Sequence, residues 1–519
     1  MPTGPKPPSL QQIADIAADF GIELTGEEAE QYQGLMVGTM ESYRRVETYP
    51  EQKLPVKYPR TPGYRPAQAE NPYNGWYWRC RIEGADSGPL KGYEVGVKDC
   101  ISVAGVPMMN GCQVFEGFVP DIDATVVTRL LDAGATIVGK TNAADCSFSG
   151  SGHTCAHGPV MNPRLPTHSP GGSSTGSGVV DAAGDVPMAL GADQGGSIRI
   201  PGSWCGIVAH KPTYGLVPYT GCKMIEMTLD TCGPMTDTVE NAARMLSAMA
   251  GPEPLDPRQR GVIPADYVRD YLPAIGAGVK GLKIGVVREG FGQPDGMIGG
   301  LPGSDPQVDA AVRATIARLE AAGAIAGEIS IPMHVDAFHI WNVVVIEGAT
   351  EFMLKGRGVG TNWEGFYNTS LMDMVGRGFD SRASDFPITA KLMLLLGEHM
   401  NRAYHGRYYA RAQNVRHLAR QAYDDALARY DVLVLPTIPS VAQPIPPLDA
   451  PIPESVFHSL QMIQNTPQFN VTGHPAISVP CGTAGGLPVG LMVVGRHFDD
   501  LTVLRVADAV ERSGDWQAA

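Results

Sequence analysis

Ser197, placed behind Gly195 and Gly196 in the run DQGGSIRIP, is the residue of this chain best equipped for chemistry. A serine hydroxyl is a weak nucleophile unless a neighbouring base takes its proton and hydrogen-bond donors receive the charge that forms on the attacked carbonyl. Gly195 and Gly196 lack Cβ atoms, so the backbone there is free to turn consecutive N–H groups toward one point. A helix entered near Ile198 to Trp204 would also set those donors at its positive end. The backbone amides of Gln194, Gly195, Gly196 and Ser197 are therefore the expected oxyanion hole, and acyl transfer through a covalent intermediate is the chemistry they would serve.

Two other elements accompany this one in fixed order. Lys98 lies in GVKD, and Ser173 and Ser174 lie in SPGGSSTGS; KPT follows at Lys211 to Thr213. Further on come YDVLVLPT at Tyr430 to Thr437, NVTGHPAISVPC at Asn470 to Cys481 and GLPVGLMVVGR at Gly486 to Arg496. Through these motifs the chain resembles the amidase signature hydrolases from about Gly92 onward. The resemblance implies a Ser-Ser-Lys triad in which Ser197 is the nucleophile, Ser173 relays its proton from a cis peptide after Gly172, and Lys98 is the final base. It implies hydrolysis of a carboxylic amide to the acid and ammonia through an acyl-enzyme, with no cofactor and no metal. The N-terminal helical pattern and the phrase GVPMMNGCQVFEGFVP are most similar to the amidases that work with nitrile hydratases. Thr175 stands where the family pattern has glycine, and His210 stands where a small aliphatic residue is common. Hydrazides, aryl amides or carbamates are therefore alternative substrates. The alternative of a different class is an amidase-like component of a tRNA-dependent glutamine amidotransferase. In the family the loop after residues 135–142 borders the acyl pocket, which makes His153 either a pocket residue or a plain structural histidine.

A lysine that acts as a base must be neutral near pH 7. Full burial lowers a lysine pKa by roughly 3 to 5 units from about 10.4, which is enough. A carboxylate beside it would work against this, but adjacent side chains of a strand point to opposite faces. In the strand expected at Tyr93 to Lys98, Asp99 should face away from Ser173.

Three other motifs invite a different chemistry. GATIVGKT at Gly134 to Thr141 matches the phosphate-binding GxxxxGK[ST] pattern. Such a loop follows a strand and opens a helix, whereas here the helical pattern of Ala124 to Ala133 comes first and Ala135 to Val138 reads as a buried strand. GSSTG at Gly172 to Gly176 matches the nucleophile elbow GxSxG, but the segment before it, MNPRLPTHSP, is a proline-broken loop rather than a strand. His153, Cys155 and His157, with Cys146 nearby, form a histidine-cysteine group that lacks paired metal-ligand spacing.

The elements that must hold these residues alternate between two periods. Strands are expected at Leu282 to Val287, Ala324 to Ile329 and Val432 to Leu435. Helices are expected at Asp305 to Ala322, His334 to Gly356 and Pro387 to Ala428. The alternation argues for an α/β fold, and the resemblance specifies a large mixed β-sheet covered by helices on both faces. Ahead of it, Ser9 to Phe20 and Gly26 to Val46 have helical apolar spacing, with Thr25 as N-cap before Glu28. Residues 49–78 are rich in proline and tyrosine and read as an extended linker. The expected division is an N-terminal helical segment with linker over 1–70 and a catalytic domain over 71–519. Two helices cannot cover their own apolar stripes, and in similar amidases such helices contribute to a dimer contact, so a homodimer is expected.

Composition narrows the class. The net charge of -14 over 519 residues, without a Lys/Arg run, argues against a nucleic-acid partner. Nine cysteines without framework spacing fit buried thiols of a reducing cytoplasm. No signal-peptide core or membrane-length apolar run is present, so no membrane partner is expected.

Overall fold

The computed structural model describes residues 5–264 and 266–518. They divide into two compact units between Leu54 and Pro55. The N-terminal unit holds two helices, Leu10–Phe20 and Gly26–Glu47. Both begin with a capping box, Ser9 with Gln12 and Thr25 with Glu28, so each side chain satisfies an amide the helix itself leaves open.

The second unit is built on an 11-stranded mixed sheet. Its strands are β1 (Trp76–Glu83), β2 (Glu94–Lys98), β3 (Thr136–Thr141), β4 (Met188–Asp193), β5 (Val208–Lys211), β6 (Thr231–Thr236), β7 (Lys283–Val287), β8 (Ile325–Ile329), β9 (Val432–Pro436), β10 (Ala476–Ala484) and β11 (Leu487–Val494). The spatial order is β1-β3-β2-β4-β6-β5-β10-β11-β9-β7-β8. β2 runs parallel to both β3 and β4, and β7 runs parallel to both β8 and β9. The remaining pairs are antiparallel. Every residue of β3, β4, β6, β9 and β11 is buried. Strands covered on both faces tend to read as continuous apolar runs, as β9 (VLVLP) and β11 (LPVGLMVV) do, whereas β3 (TIVGKT) and β6 (TCGPMT) carry polar residues as well.

The expected elements fall close to the observed ones. The run at Asp305 to Ala322 is a helix over Pro306–Ala321, with the Asp305 carboxylate accepting from the Gln307 amide. GATIVGKT forms the buried strand β3 and opens no helix, and Lys140 within it pairs with Asp99. Some expectations need correction. The single run Pro387 to Ala428 is two helices, Ile388–Tyr404 and Arg407–Leu427, broken where His405 and Gly406 take φ of 60° and 71°. The run His334 to Gly356 is an α-helix over Met333–Gly348 that widens into a π-helical stretch, Ala349–Lys355. Helices Thr369–Arg382 and Ile452–Leu460 had no expectation. The supposed linker ends early: Trp76 opens β1, and Tyr64 exchanges backbone hydrogen bonds with Arg79 of that strand.

Candidate active site

β2 and β4 are parallel neighbours, and Lys98 and Asp193 are their last residues. The carboxyl ends of parallel strands are where this class of sheet gathers its functional groups. Lys98 is completely buried, and its Nζ donates to Ser173 Oγ at 2.8 Å and to the Ala192 carbonyl at 3.1 Å. Burial pushes its pKa below the usual lysine range, against the smaller opposing pull of Cys100, Asp193 and Asp230. Asp99 is turned to the other side, with one carboxylate oxygen 3.1 Å from Lys140 Nζ and the other accepting from the Met109 amide at 2.9 Å. Lysine and neighbouring carboxylate are thus kept apart by the pleat.

Ser173 follows a cis Gly172–Ser173 peptide and opens the turn before the helix Thr175–Ala182. Ser174 is employed differently. Its hydroxyl bridges the Ala192 carbonyl and the Ala192 amide, both at 3.1 Å, and its own amide donates to the Ser197 carbonyl at 3.1 Å. It therefore staples the serine loop to β4 and to the Ser197 turn, leaving Ser173 to face the lysine.

The turn that carries Ser197 is fixed by Asp193. Arg199 donates to its two oxygens at 2.9 and 3.1 Å, and the amides of Gly196 and Ile198 donate at 2.8 and 3.0 Å. Asn470, 277 residues further along the chain, adds a bond of 2.8 Å. Burial alone would raise the Asp193 pKa, but these partners, Arg199 first, hold it well below the usual carboxylate range. The two glycines are required for different reasons. Gly196 takes φ of 128°, a conformation that L side chains rarely adopt. Gly195 has no such φ, but a Cβ there would meet the Trp341 ring at 2.5 Å. The helix that follows is Arg199–Cys205, one residue later than expected.

The four amides expected as an oxyanion hole are not all open. The Gly196 N–H is already committed to Asp193. Among the described residues, no acceptor takes the N–H of Gln194, Gly195 or Ser197, so three of the four expected donors remain open.

Ser197 lies at the wall of a small cavity of about 40 Å³. Ser147 to Gly150 form one side, and Gln194, Gly195 and Ile200 lie beside the serine. Ile225, Trp341, Val345, Met393, Leu460 and Ile463 complete the lining. Trp341 is anchored by its indole N–H, which donates to the Gln194 carbonyl at 2.7 Å. His153 is not part of this wall. Its ring nitrogens lie 3.0 Å from Ser151 Oγ and 3.2 Å from Ser455 Oγ, and burial, with His458 nearby, lowers its pKa to about 4. Both ring nitrogens are thus engaged by serines, as the structural alternative expects. His157 is stacked on Tyr77 instead of joining His153 and Cys155.

Residues 77–504 match the family model described as Amidase. The chain belongs to the amidase signature family. Membership makes it an amide-hydrolysing enzyme of α/β fold. It is 44% identical over 507 residues to an enantioselective amidase of Rhodococcus rhodochrous, covering 96% of this chain and 95% of that one. It is also 37% identical over 443 residues to a glutamyl-tRNA(Gln) amidotransferase component from Methanosarcina acetivorans, covering 84% and 87%. Among solved structures, the native peptide amidase of Stenotrophomonas maltophilia superposes with a TM-score of 0.66 at 29% identity, covering 82% of this chain and 83% of that one. The corresponding glutamyl-tRNA(Gln) amidotransferase component of Thermotoga maritima gives 0.68 at 28% identity, covering 94% and 92%.

Some residues of this amidase site were not found from the sequence. Asp193 and Arg199 lie within the DQGGSIR motif, and a carboxylate and a guanidinium six residues apart around the Ser197 turn could have been recognised as a pair. Asn470, Trp341, Met393 and Leu460 come from distant segments, and only the fold brings them to Ser197.

Proposed function

We propose that Ser197 attacks the amide carbonyl, that Ser173 carries its proton to neutral Lys98, and that the acyl-enzyme so formed is hydrolysed by water, releasing ammonia and then the acid. The observation that carries this reading is the buried lysine held 2.8 Å from Ser173 beside the Ser197 turn. With Lys98 neutral, one N–H still serves the Ala192 carbonyl while the nitrogen lone pair is available to accept the Ser173 proton. That proton is then positioned to return to the leaving amine, as general acid catalysis requires. The open amides of Gln194, Gly195 and Ser197 would receive the negative charge of the tetrahedral intermediate.

The acyl group is read from the cavity. No charged side chain is among its lining residues, and most of the wall is aliphatic or aromatic. A zwitterionic amino acid such as glutamine would bring an ammonium and a carboxylate into this space without partners, which is costly. The lining therefore favours neutral, apolar acyl groups, aromatic or branched aliphatic, over the glutamine-using alternative. The relative from Rhodococcus is enantioselective, and a walled apolar cavity next to the nucleophile is suited to sensing a stereocentre beside the carbonyl.

We further read the enzyme as a cytoplasmic homodimer. All nine cysteines are free thiols and eight of them are buried, in keeping with a reducing compartment. Among the described residues, no helix is long and apolar enough to cross a membrane. The two N-terminal helices expose Phe20, Leu35 and Val46 at 76, 72 and 70%, apolar area that a partner copy would cover.

Three measurements test these readings. Activity should fall on the acid side as Lys98 takes up a proton, because its lowered pKa places the neutral form within reach above that limb and removes it below. Lys98→Met, which keeps the volume and removes the base, should lose most of the rate together with the limb. If the limb survives in that variant, another group is the base; buried Lys211, held at about 7, would be the first to examine. In a series of straight-chain amides, kcat/KM should rise about fourfold per added methylene until the cavity is filled, the equivalent of ~0.8 kcal/mol each. A flat series, or glutamine outpacing every apolar amide, would favour the amidotransferase reading. Light scattering should give a dimer for the full chain and a monomer or aggregate after deletion of residues 1–50; a stable truncated dimer would exclude that role for the helices.

A further inference from the structure

Away from the catalytic cavity, three segments of the second unit bring one carboxylate and two imidazoles together. Asp424 lies near the end of the helix Arg407–Leu427, His474 lies just before β10, and His497 lies just after β11. Their ligand atoms are all within 4.8 Å of one another. His474 Nε2 is 3.0 Å from Asp424 Oδ1, His497 Nδ1 is 3.7 Å from the same oxygen, and the two ring centroids are 4.0 Å apart.

The bonds on the far sides of the rings decide which nitrogens point inward. His497 Nε2 is 2.9 Å from the Thr472 carbonyl, which only accepts. That nitrogen therefore carries the hydrogen, and Nδ1 of the neutral ring presents a lone pair. The lone pair faces the Asp424 carboxylate, a second acceptor. A gap of 3.7 Å is too long for an N–H···O bond. Two acceptors facing each other repel unless a cation lies between them. His474 Nε2 is within hydrogen-bond range of Asp424 Oδ1 and donates to it when no ion is bound. Thr472 Oγ1, 2.9 Å from His474 Nδ1, offers an acceptor for the other tautomer, which would release Nε2 to an ion. Thr472 thus holds both rings from behind, the role that outer hydrogen bonds play for metal-binding histidines.

The spacing fits an ion. Bonds of about 2.0 to 2.1 Å in a tetrahedron place ligand atoms roughly 3.3 to 3.4 Å apart. The observed 3.0 and 3.7 Å bracket that separation. Two imidazoles with one carboxylate suit zinc and similar borderline ions rather than calcium or magnesium, which take oxygen ligands. His497 also lines a groove of about 440 Å³, so an ion and water have a path in. Arg420, with Nε 3.7 Å from Asp424 Oδ2, opposes a cation, but its side chain is half exposed and free to turn to solvent.

We infer that Asp424, His474 and His497 form a binding site for a zinc-type divalent ion that ties the helix Arg407–Leu427 to the loops flanking β10 and β11. The site does not touch Lys98, Ser173 or Ser197. It does adjoin the short helix Gln468–Thr472, whose Asn470 holds Asp193, so the ion braces the fold behind the nucleophile turn. Its effect belongs to stability rather than to the chemical step.

The test uses untagged full-length enzyme freed of metal by a chelator. Zinc should bind in one equivalent by titration calorimetry and raise Tm, as any ligand specific to the native state does. Cobalt(II) should give the visible bands of a four-coordinate nitrogen and oxygen site. Asp424→Asn and His497→Gln, both at partly exposed side chains, should stay folded by circular dichroism yet bind zinc at least about tenfold more weakly and lose the Tm shift. No zinc binding, or binding indifferent to both substitutions, would overturn the assignment. So would thiolate charge-transfer bands in the cobalt spectrum, because they would place the ion at Cys112 and Cys146, the pair that lies beside Asp145.

Discussion

The buried Asp193 carboxylate is the constraint on which the active site depends. It is an ionised group with no access to water, so its charge must be met by fixed partners, and it gathers Arg199, Asn470 and two backbone amides around itself. Removing one partner of such a pair leaves a buried charge uncompensated, at a cost of about 3 to 5 kcal/mol. That penalty makes the turn from Asp193 to Arg199 single-valued. Ser197 sits inside the turn, and its position is inherited from the ion pair. Because Asn470 lies 277 residues further along the chain, the same network also ties distant segments of the second unit together.

The lysine is governed by the opposite principle. Asp193 is charged because it is surrounded by donors, while Lys98 is biased toward neutrality because burial strips it of water and gives it only a hydroxyl and a carbonyl. The sheet makes both possible within a short distance. Asp99 is the carboxylate next to Lys98 in sequence, and it is turned to Lys140 instead. Lys140, the lysine of a motif that imitates a phosphate loop, thereby has a structural task in holding that carboxylate.

Much of this was legible in the sequence where function and local geometry coincide. The Gly195-Gly196-Ser197 run, the lysine at a strand end and the serine loop can be read because backbone rules limit what such residues do. The reversed order of helix and strand around Gly134 was enough to reject phosphate binding, and β3 follows that order. The oxyanion hole was only partly legible: nothing local indicates that Asp193 would take the Gly196 amide. His153 could be read either as a pocket residue or as a structural histidine because sequence proximity to the pocket loop does not fix the direction of a side chain; two serines, one of them some three hundred residues away, hold its ring. The apolar wall was illegible for a related reason. Trp341 and Met393 lie on helices of ordinary periodicity, and their meeting at Ser197 is a property of the tertiary fold alone.

The central claim is that Ser197, and not the serines of the upstream loop, forms the covalent bond to the acyl group. Peptide mapping by mass spectrometry after reaction with a small aromatic sulfonyl fluoride tests it directly. The expected result is a single adduct on the peptide that carries Ser197, with Ser173 and Ser174 unmodified. An adduct on Ser173 or Ser174 with Ser197 intact would contradict the account.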